Sequence, residues 1–151
     1  MDDREIVITR LIDAPRERVF DVWTDPQHVG HWWGPNGFTI TTHEMRAEVG
    51  GVWQFMMHGP DGKDWPNRIV FSEVVRPERL AYSHGDFERE HFTVVVSFIA
   101  VGDKTRLTLH STFPSAEACA AVKAHGAVEG GKQTLDRCAA YVAQQMAQQG
   151  R

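Results

Sequence analysis

Residues 50–62 read GGVWQFMMHGPDG, and they decide the fold. Trp53, Phe55 and Met57 occupy every second position, which is typical of a strand that buries one face. The next four residues, Gly59-Pro60-Asp61-Gly62, put proline and glycine at positions that a type I turn favours. The segment therefore predicts a strand that turns sharply into an antiparallel neighbour.

The same two-residue period extends from Phe38 to Phe113, interrupted by turn residues at regular intervals. The predicted strands cover residues 6–12, 38–45, 52–58, 63–75, 80–84, 92–99 and 106–113. The dipeptide Trp65-Pro66 argues for an edge or a bulge in the fourth strand, because proline lacks the N–H that a central strand needs. The pattern predicts a meander of antiparallel strands.

Two short helices are predicted between the first and second strands. The first begins at Asp13-Ala14-Pro15, where proline is tolerated in the first turn, and it ends at Thr24-Asp25-Pro26. The second carries Val29, Trp32 and Trp33 at helical spacing and stops at the glycine that follows. These helices separate the first strand from the meander.

The C-terminal part of the chain is predicted to be helical. A short run over 116–124 lies in a glycine-bearing segment, and a long helix is predicted over 133–148. Leu135, Cys138 and Val142 recur there at spacings of three and four, which forms one apolar stripe. The predicted fold is therefore α+β, with a curved antiparallel sheet packed against a long C-terminal helix.

Composition limits the kinds of protein this chain can be. Its 151 residues are 42% hydrophobic and 24% charged, which predicts one globular domain over 1–151. The net charge of −4, with no stretch of five or more like charges, argues against nucleic acid as a partner. The charged N-terminus is unlike a signal peptide, and no window approaches about eighteen apolar residues, so we expect no membrane span. The cytoplasm is the expected location.

Alternate strand residues should point toward the long helix, and those side chains are large and apolar. A sheet that grips a helix in this way either closes completely or leaves an internal cavity, and the sequence leaves both open. The expected lining of such a cavity is Trp23, Trp32, Trp33, Phe38, Trp53, Phe55, Met57, Ile69, Phe71, Tyr82, His84, Phe92, Val94, Val96, Leu107, Leu109, Ser111 and Leu135. The tryptophans suit a pocket wall and a core equally well, because each large ring carries one polar nitrogen.

Polar candidates for a site are few. His84 shares the parity of Tyr82, so it is the histidine most expected to enter such a cavity. It would act there either as a general acid or base or as a hydrogen-bonded wall residue. Further candidates for orienting a ligand are Tyr82, Asn67, Arg68 and Ser111. The sequence identifies no catalytic residue.

Metal, cofactor and nucleophile motifs are absent from the sequence. His28 and His31 share a helix face, but no third ligand accompanies them at a recognisable distance. There is no Gly-x-Ser-x-Gly nucleophile elbow, and Cys119 and Cys138 lie in no positively charged setting. We therefore expect neither a metal ion nor a cofactor.

Four motifs, taken in chain order, resemble a known family. They are Ala14-Pro15-x-Glu17-x-Val19-Phe20, Trp32-Trp33-Gly34-Pro35, Gly50-Gly51-x-Trp53-x-Phe55-x-Met57 and Pro77-Glu78-Arg79-Leu80. Together they resemble homologues of the activator of heat shock protein 90 ATPase, in the START-like, helix-grip superfamily also labelled SRPBCC. The resemblance implies a seven-stranded antiparallel sheet around the C-terminal helix, with a deep apolar cavity that accommodates hydrophobic small molecules in many members. It does not imply ATPase activation, since function resides in sites rather than folds.

Three hypotheses about function follow. The first is a protein that binds a hydrophobic or aromatic small molecule in a cavity under the C-terminal helix. The second is a cyclase, dehydratase or hydrolase that uses the same cavity. The third is a co-chaperone-like interaction module that works through an exposed surface. A homodimer through a strand edge or the tryptophan-bearing loop is a further expectation.

Overall fold

The computed structural model describes residues 3–149. The strands are β1 (Glu5–Ile12), β2 (Thr39–Met45), β3 (Val52–His58), β4 (Asp64–Val75), β5 (Arg79–Gly85), β6 (Glu90–Val101) and β7 (Lys104–Thr112). The helices are α1 (Arg16–Thr24), α2 (Pro26–Val29), α3 (Ala116–Ala124) and α4 (Ala127–Gln149). The predicted α+β layout is confirmed, including the two short helices that follow the first strand.

All seven strands form one antiparallel sheet in the order β1-β7-β6-β5-β4-β3-β2. Strands β2 to β7 make the predicted meander, and β1 pairs with β7, so β1 and β2 are the two edges. Helices α1 and α2 connect one edge of the sheet to the other. This curved sheet with a long C-terminal helix is the helix-grip fold.

Alternation along the strands builds the core. Trp53 and Phe55 of β3 are buried. On β6 the buried residues are Val94, Val96 and Phe98. Helix α4 contributes Leu135, Cys138 and Val142, which form one stripe along the helix and are also buried. Burial of each large apolar side chain contributes roughly 1.5–3 kcal/mol.

Helix α4 begins six residues earlier than the sequence predicts. The glycines at 130 and 131 indicated a break, but both lie within the helix. A Cβ on Gly131 would come within 2.4 Å of Ile8 Cδ1, so the absent side chain lets α4 lie close to β1. The close packing of α4 on β1 thus outweighs the unfavourable helix propensity of glycine.

The prediction for α2 was also wrong at its end. The helix stops at Val29, and Trp32 and Trp33 follow it in a turn rather than on the helix. Their backbone N–H groups still donate to the Val29 carbonyl, at 3.4 and 3.2 Å. This turn carries both rings into the core.

Strand β4 extends beyond its neighbour β5 at the dipeptide Trp65-Pro66. Pairing with β3 continues to Asp64, whereas pairing with β5 begins only at Arg68. Pro66 therefore lies on a stretch with one strand partner, where proline is tolerated. This stretch, which is paired with β3 alone, forms one side of a cavity.

Candidate functional site

A cavity of about 1080 Å³ lies at one end of the sheet, where α3 meets the start of α4. Its strand wall comes from the ends of β3, β4, β5 and β6, and its helical wall is Ala118, Val122 and Ala127. The loop after α2 and the turn between β3 and β4 complete it. The volume slightly exceeds the usual range for small-molecule sites, about 300–1,000 Å³.

Most of the cavity wall is apolar. The main apolar side chains are Phe38, Met57, Trp65, Phe92 and Phe113. Trp65 is 51% exposed and therefore lies at the mouth, whereas Phe113 is buried. A wall of this kind favours a ligand whose surface is largely hydrocarbon or aromatic.

His84 and Asn67 provide a fixed polar group on this wall. The Asn67 Nδ2 donates to the Trp65 carbonyl at 3.0 Å, which turns the amide oxygen toward His84. The His84 Nε2 lies 2.7 Å from that oxygen and donates to it. In the neutral ring Nδ1 is then an acceptor, and it has no hydrogen-bond partner within residues 3–149.

The surroundings of His84 keep its ring neutral. Its ring centroid lies 5.0 Å from that of Phe92 and 6.3 Å from those of Trp33 and Phe55. Burial among these rings lowers the pKa of His84 to about 4, and repulsion from His91 in its protonated form acts in the same direction. At neutral pH the cavity thus presents an uncharged imidazole.

The loop between β5 and β6 supplies the polar mouth of the cavity. Asp86 accepts hydrogen bonds from the backbone N–H groups of Glu88 and Arg89 at 2.8 and 3.0 Å. Its other oxygen accepts from His91 Nε2 at 3.0 Å. These donors lower the pKa of Asp86 to about 2, the backbone bonds most of all. Asp86 is therefore a carboxylate over the whole physiological range.

The loop that precedes β2 is held against α4 by two side chains. Arg137 Nη1 lies 3.3, 2.8 and 2.9 Å from the carbonyl oxygens of Trp33, Gly34 and Pro35. Gln133 accepts a hydrogen bond from the backbone N–H of Asn36 at 3.0 Å. Pro35 lines the cavity, so α4 positions this wall through polar contacts that the apolar stripe did not reveal.

The candidate cavity residues named from the sequence occupy two different places. Phe38, Met57, His84 and Phe92 lie on the cavity wall. The others that are buried lie in the core away from that wall: Trp23, Trp32, Trp33, Trp53, Phe55, Ile69, Phe71, Tyr82, Val94, Val96, Leu107 and Leu135. Leu109 and Ser111 are partly buried and also lie off the wall.

Four tryptophans fill the centre of the molecule instead. The Trp23 ring lies 4.9 Å from that of Trp32, and Trp33 lies 4.8 Å from Trp53, which stacks on Phe55 at 3.9 Å. These rings occupy the space between α1 and the middle of the sheet. The alternation of residues along each strand predicts which face of the sheet these rings lie on. It does not predict which end of that face forms a cavity.

The other histidines and the cysteines considered as ligands or nucleophiles lie off the cavity wall. His28 Nδ1 lies 2.6 Å from the Tyr141 hydroxyl, and the His31 ring stacks on Tyr141. Both cysteines are unpaired and buried, and burial raises the pKa of the Cys138 thiol. Residues 3–149 contain no cluster of three histidine, cysteine or acidic side chains that could hold a metal ion.

Another imidazole–carboxylate pair lies off the cavity wall, on β3 and β4. His58 Nδ1 is 2.8 Å from Asp64 Oδ1, and its Nε2 is 2.7 Å from Thr41 Oγ1. His58 is not part of the cavity wall. It provides a matched comparison for the histidines at the cavity.

The helix-grip fold and its end-on cavity define a START-like protein. The chain belongs to the family of Activator of Hsp90 ATPase homolog 1-like proteins, which it matches over residues 13–143. No curated protein sequence matches it. In the part of the chain that the structure describes, no helix is long and apolar enough to cross a membrane.

Several solved bacterial structures share the fold. A protein from Mycobacterium smegmatis is 26% identical with a TM-score of 0.87, and 95% of this chain and 94% of that chain are covered. One from Arthrobacter aurescens is 26% identical with a TM-score of 0.86, with 95% and 90% covered. One from Nitrosomonas europaea is 21% identical with a TM-score of 0.89, and 97% of this chain and 99% of that chain are covered. At that identity the likeness shows the fold alone.

Proposed function

We propose that the protein binds a hydrophobic or aromatic small molecule in the cavity at the α3–α4 end of the sheet. The observation that carries this proposal is a space of about 1080 Å³ whose walls are mostly apolar, with His84 held in place on the wall by Asn67. Transfer of apolar surface from water into such a space is favourable by roughly 25 cal/mol per Å². Membership of a START-like family supports the same assignment.

The polar group limits the chemistry of the ligand. His84 donates to Asn67 through Nε2, so its remaining nitrogen accepts rather than donates. A neutral imidazole offers no charge to compensate a buried anion, and a buried unpaired charge is costly. The preferred ligand is therefore uncharged at its buried end and carries a hydroxyl or another donor for His84.

The test is a fluorescence titration with Nile red, an uncharged apolar dye. Val122 faces the cavity from α3, so Val122→Trp fills part of the space, whereas Ala120→Trp adds the same ring to an exposed position of the same helix. We expect saturable micromolar binding that Val122→Trp weakens at least tenfold and Ala120→Trp leaves unchanged. Absence of saturable binding, or equal effects of the two variants, would contradict the proposal.

The setting and assembly of the protein are part of the same proposal. Unpaired cysteines at 119 and 138 suit the reducing cytoplasm. The edge strands β1 and β2 carry backbone groups without a strand partner on one side, through which two copies could pair as a homodimer. Light scattering measures the mass directly, and a monomer at working concentration would contradict the dimer.

A further inference from the structure

His91 and Asp86, at the mouth of the cavity, form a base and the group that orients it. The Asp86 carboxylate is fixed by two backbone N–H donors and accepts from His91 Nε2 at 3.0 Å. The proton on Nε2 leaves Nδ1 as the basic nitrogen of the neutral ring. Within residues 3–149 that nitrogen has no hydrogen-bond partner. In general-base catalysis a carboxylate often orients a histidine base through a hydrogen bond in this way.

Water reaches this pair. The side chains of His91 and Asp86 are 40% and 35% exposed, and both residues line the cavity. A base in contact with both an apolar site and solvent suits hydrolysis better than reactions that require a dry interior. Arg89 lines the same cavity and has no ion pair within the described residues, so its positive charge is available to a ligand at the mouth.

The cavity wall also restricts the mechanism. Along the described residues it contains no serine, threonine, cysteine, tyrosine or lysine side chain that could form a covalent intermediate. The other charged or titratable groups on it are Asp61, His84 and Glu90. A water molecule at the exposed mouth is the nucleophile that His91 can activate.

We propose that the mouth of the cavity hydrolyses esters whose hydrophobic part occupies the cavity, an inference that rests on the proposed function. His91 Nδ1 takes a proton from water as the water oxygen bonds to the ester carbonyl carbon, and the C=O electron pair moves onto oxygen beside Arg89. When that pair returns, the bond to the alkoxy oxygen breaks, and the leaving oxygen takes the proton from His91. The products are a carboxylic acid and an alcohol, and water is the only co-reactant.

The experiment measures hydrolysis of p-nitrophenyl butyrate and octanoate by the full chain, with Nile red binding measured on the same samples. We expect saturable hydrolysis that Nile red inhibits competitively. His91→Gln should lower kcat at least ~100-fold with KM changed less than twofold, as expected for loss of a general base. His58→Gln, which removes a carboxylate-bound imidazole outside the cavity, should leave both constants unchanged.

Asp86 acts as a positioning residue, so its variants distinguish orientation from folding. Asp86→Asn should lower kcat with little change in KM, and Asp86→Glu should restore part of it. If the dye binds but ester cleavage is no faster than with free imidazole, or if His58→Gln lowers kcat as much as His91→Gln, the hydrolysis inference is overturned while the proposed function stands. If the dye does not bind, the proposed function fails and the inference fails with it.

Discussion

His84 is the polar residue that lies among the aromatic rings of the cavity wall. Aromatic rings surround it, and Asn67 fixes the proton on its Nε2. The cost of charging such a ring lowers its pKa from an ordinary value of 6.5 to about 4. Between pH 4 and pH 6.5, His84 is therefore mostly protonated in the unfolded chain and mostly neutral in the folded protein.

This difference predicts an acid sensitivity that belongs to one residue. The contribution of His84 is fully present above pH 6.5 and is lost as pH falls toward 4, because protonation favours the unfolded chain. The loss is at most ~3 kcal/mol. Urea denaturation at pH 7 and pH 4.5 should show a smaller drop in the free energy of unfolding for His84→Gln than for the wild type. An equal drop in both would contradict a neutral His84 in the folded protein.

Among the helices and strands, α4 makes two kinds of contact: its apolar residues pack on the sheet, and its polar residues bind the loop before β2. Its apolar stripe of Leu135, Cys138 and Val142 holds the sheet, while Arg137 and Gln133 hold the loop that forms one cavity wall. Burial lowers the pKa of the Arg137 guanidinium. The carbonyl oxygens around it offset that desolvation.

Loss of this contact should weaken both folding and binding. Arg137→Met removes donors to three carbonyl oxygens, and we expect the free energy of unfolding to fall by about 2 kcal/mol, the scale of hydrogen bonds to charged groups. The dye affinity should fall as well, because Pro35 loses its support. Asp136→Asn, which breaks the exposed pair with Arg10, should cost no more than ~1 kcal/mol and leave binding unchanged. Equal effects of the two variants would contradict the role of Arg137.

At the scale of the whole molecule, the sequence predicts the sheet well and the site poorly. Alternation along residues 52–58 depends on local geometry alone, and the predicted strand is confirmed at both ends. The start of α4 could not be predicted, because the closeness of Gly131 to Ile8 is a tertiary contact. The position of the cavity depends in the same way on where the tryptophans and α3 cover the sheet. His84 carries a local signal, its parity with Tyr82, whereas the pairing of His91 with Asp86 arises from the loop conformation.

The most direct test of a ligand in the cavity is an NMR titration of the protein labelled with ¹³C at the methionine methyl groups. Met57 lies on the cavity wall, while its neighbour Met56 points to the opposite face of β3 and provides an internal control. With Nile red added to saturation, we expect the Met57 resonance to shift by several line widths and the Met56 resonance to stay in place. A saturating dye that shifts Met56 and leaves Met57 unmoved would show that binding occurs elsewhere and would contradict the account.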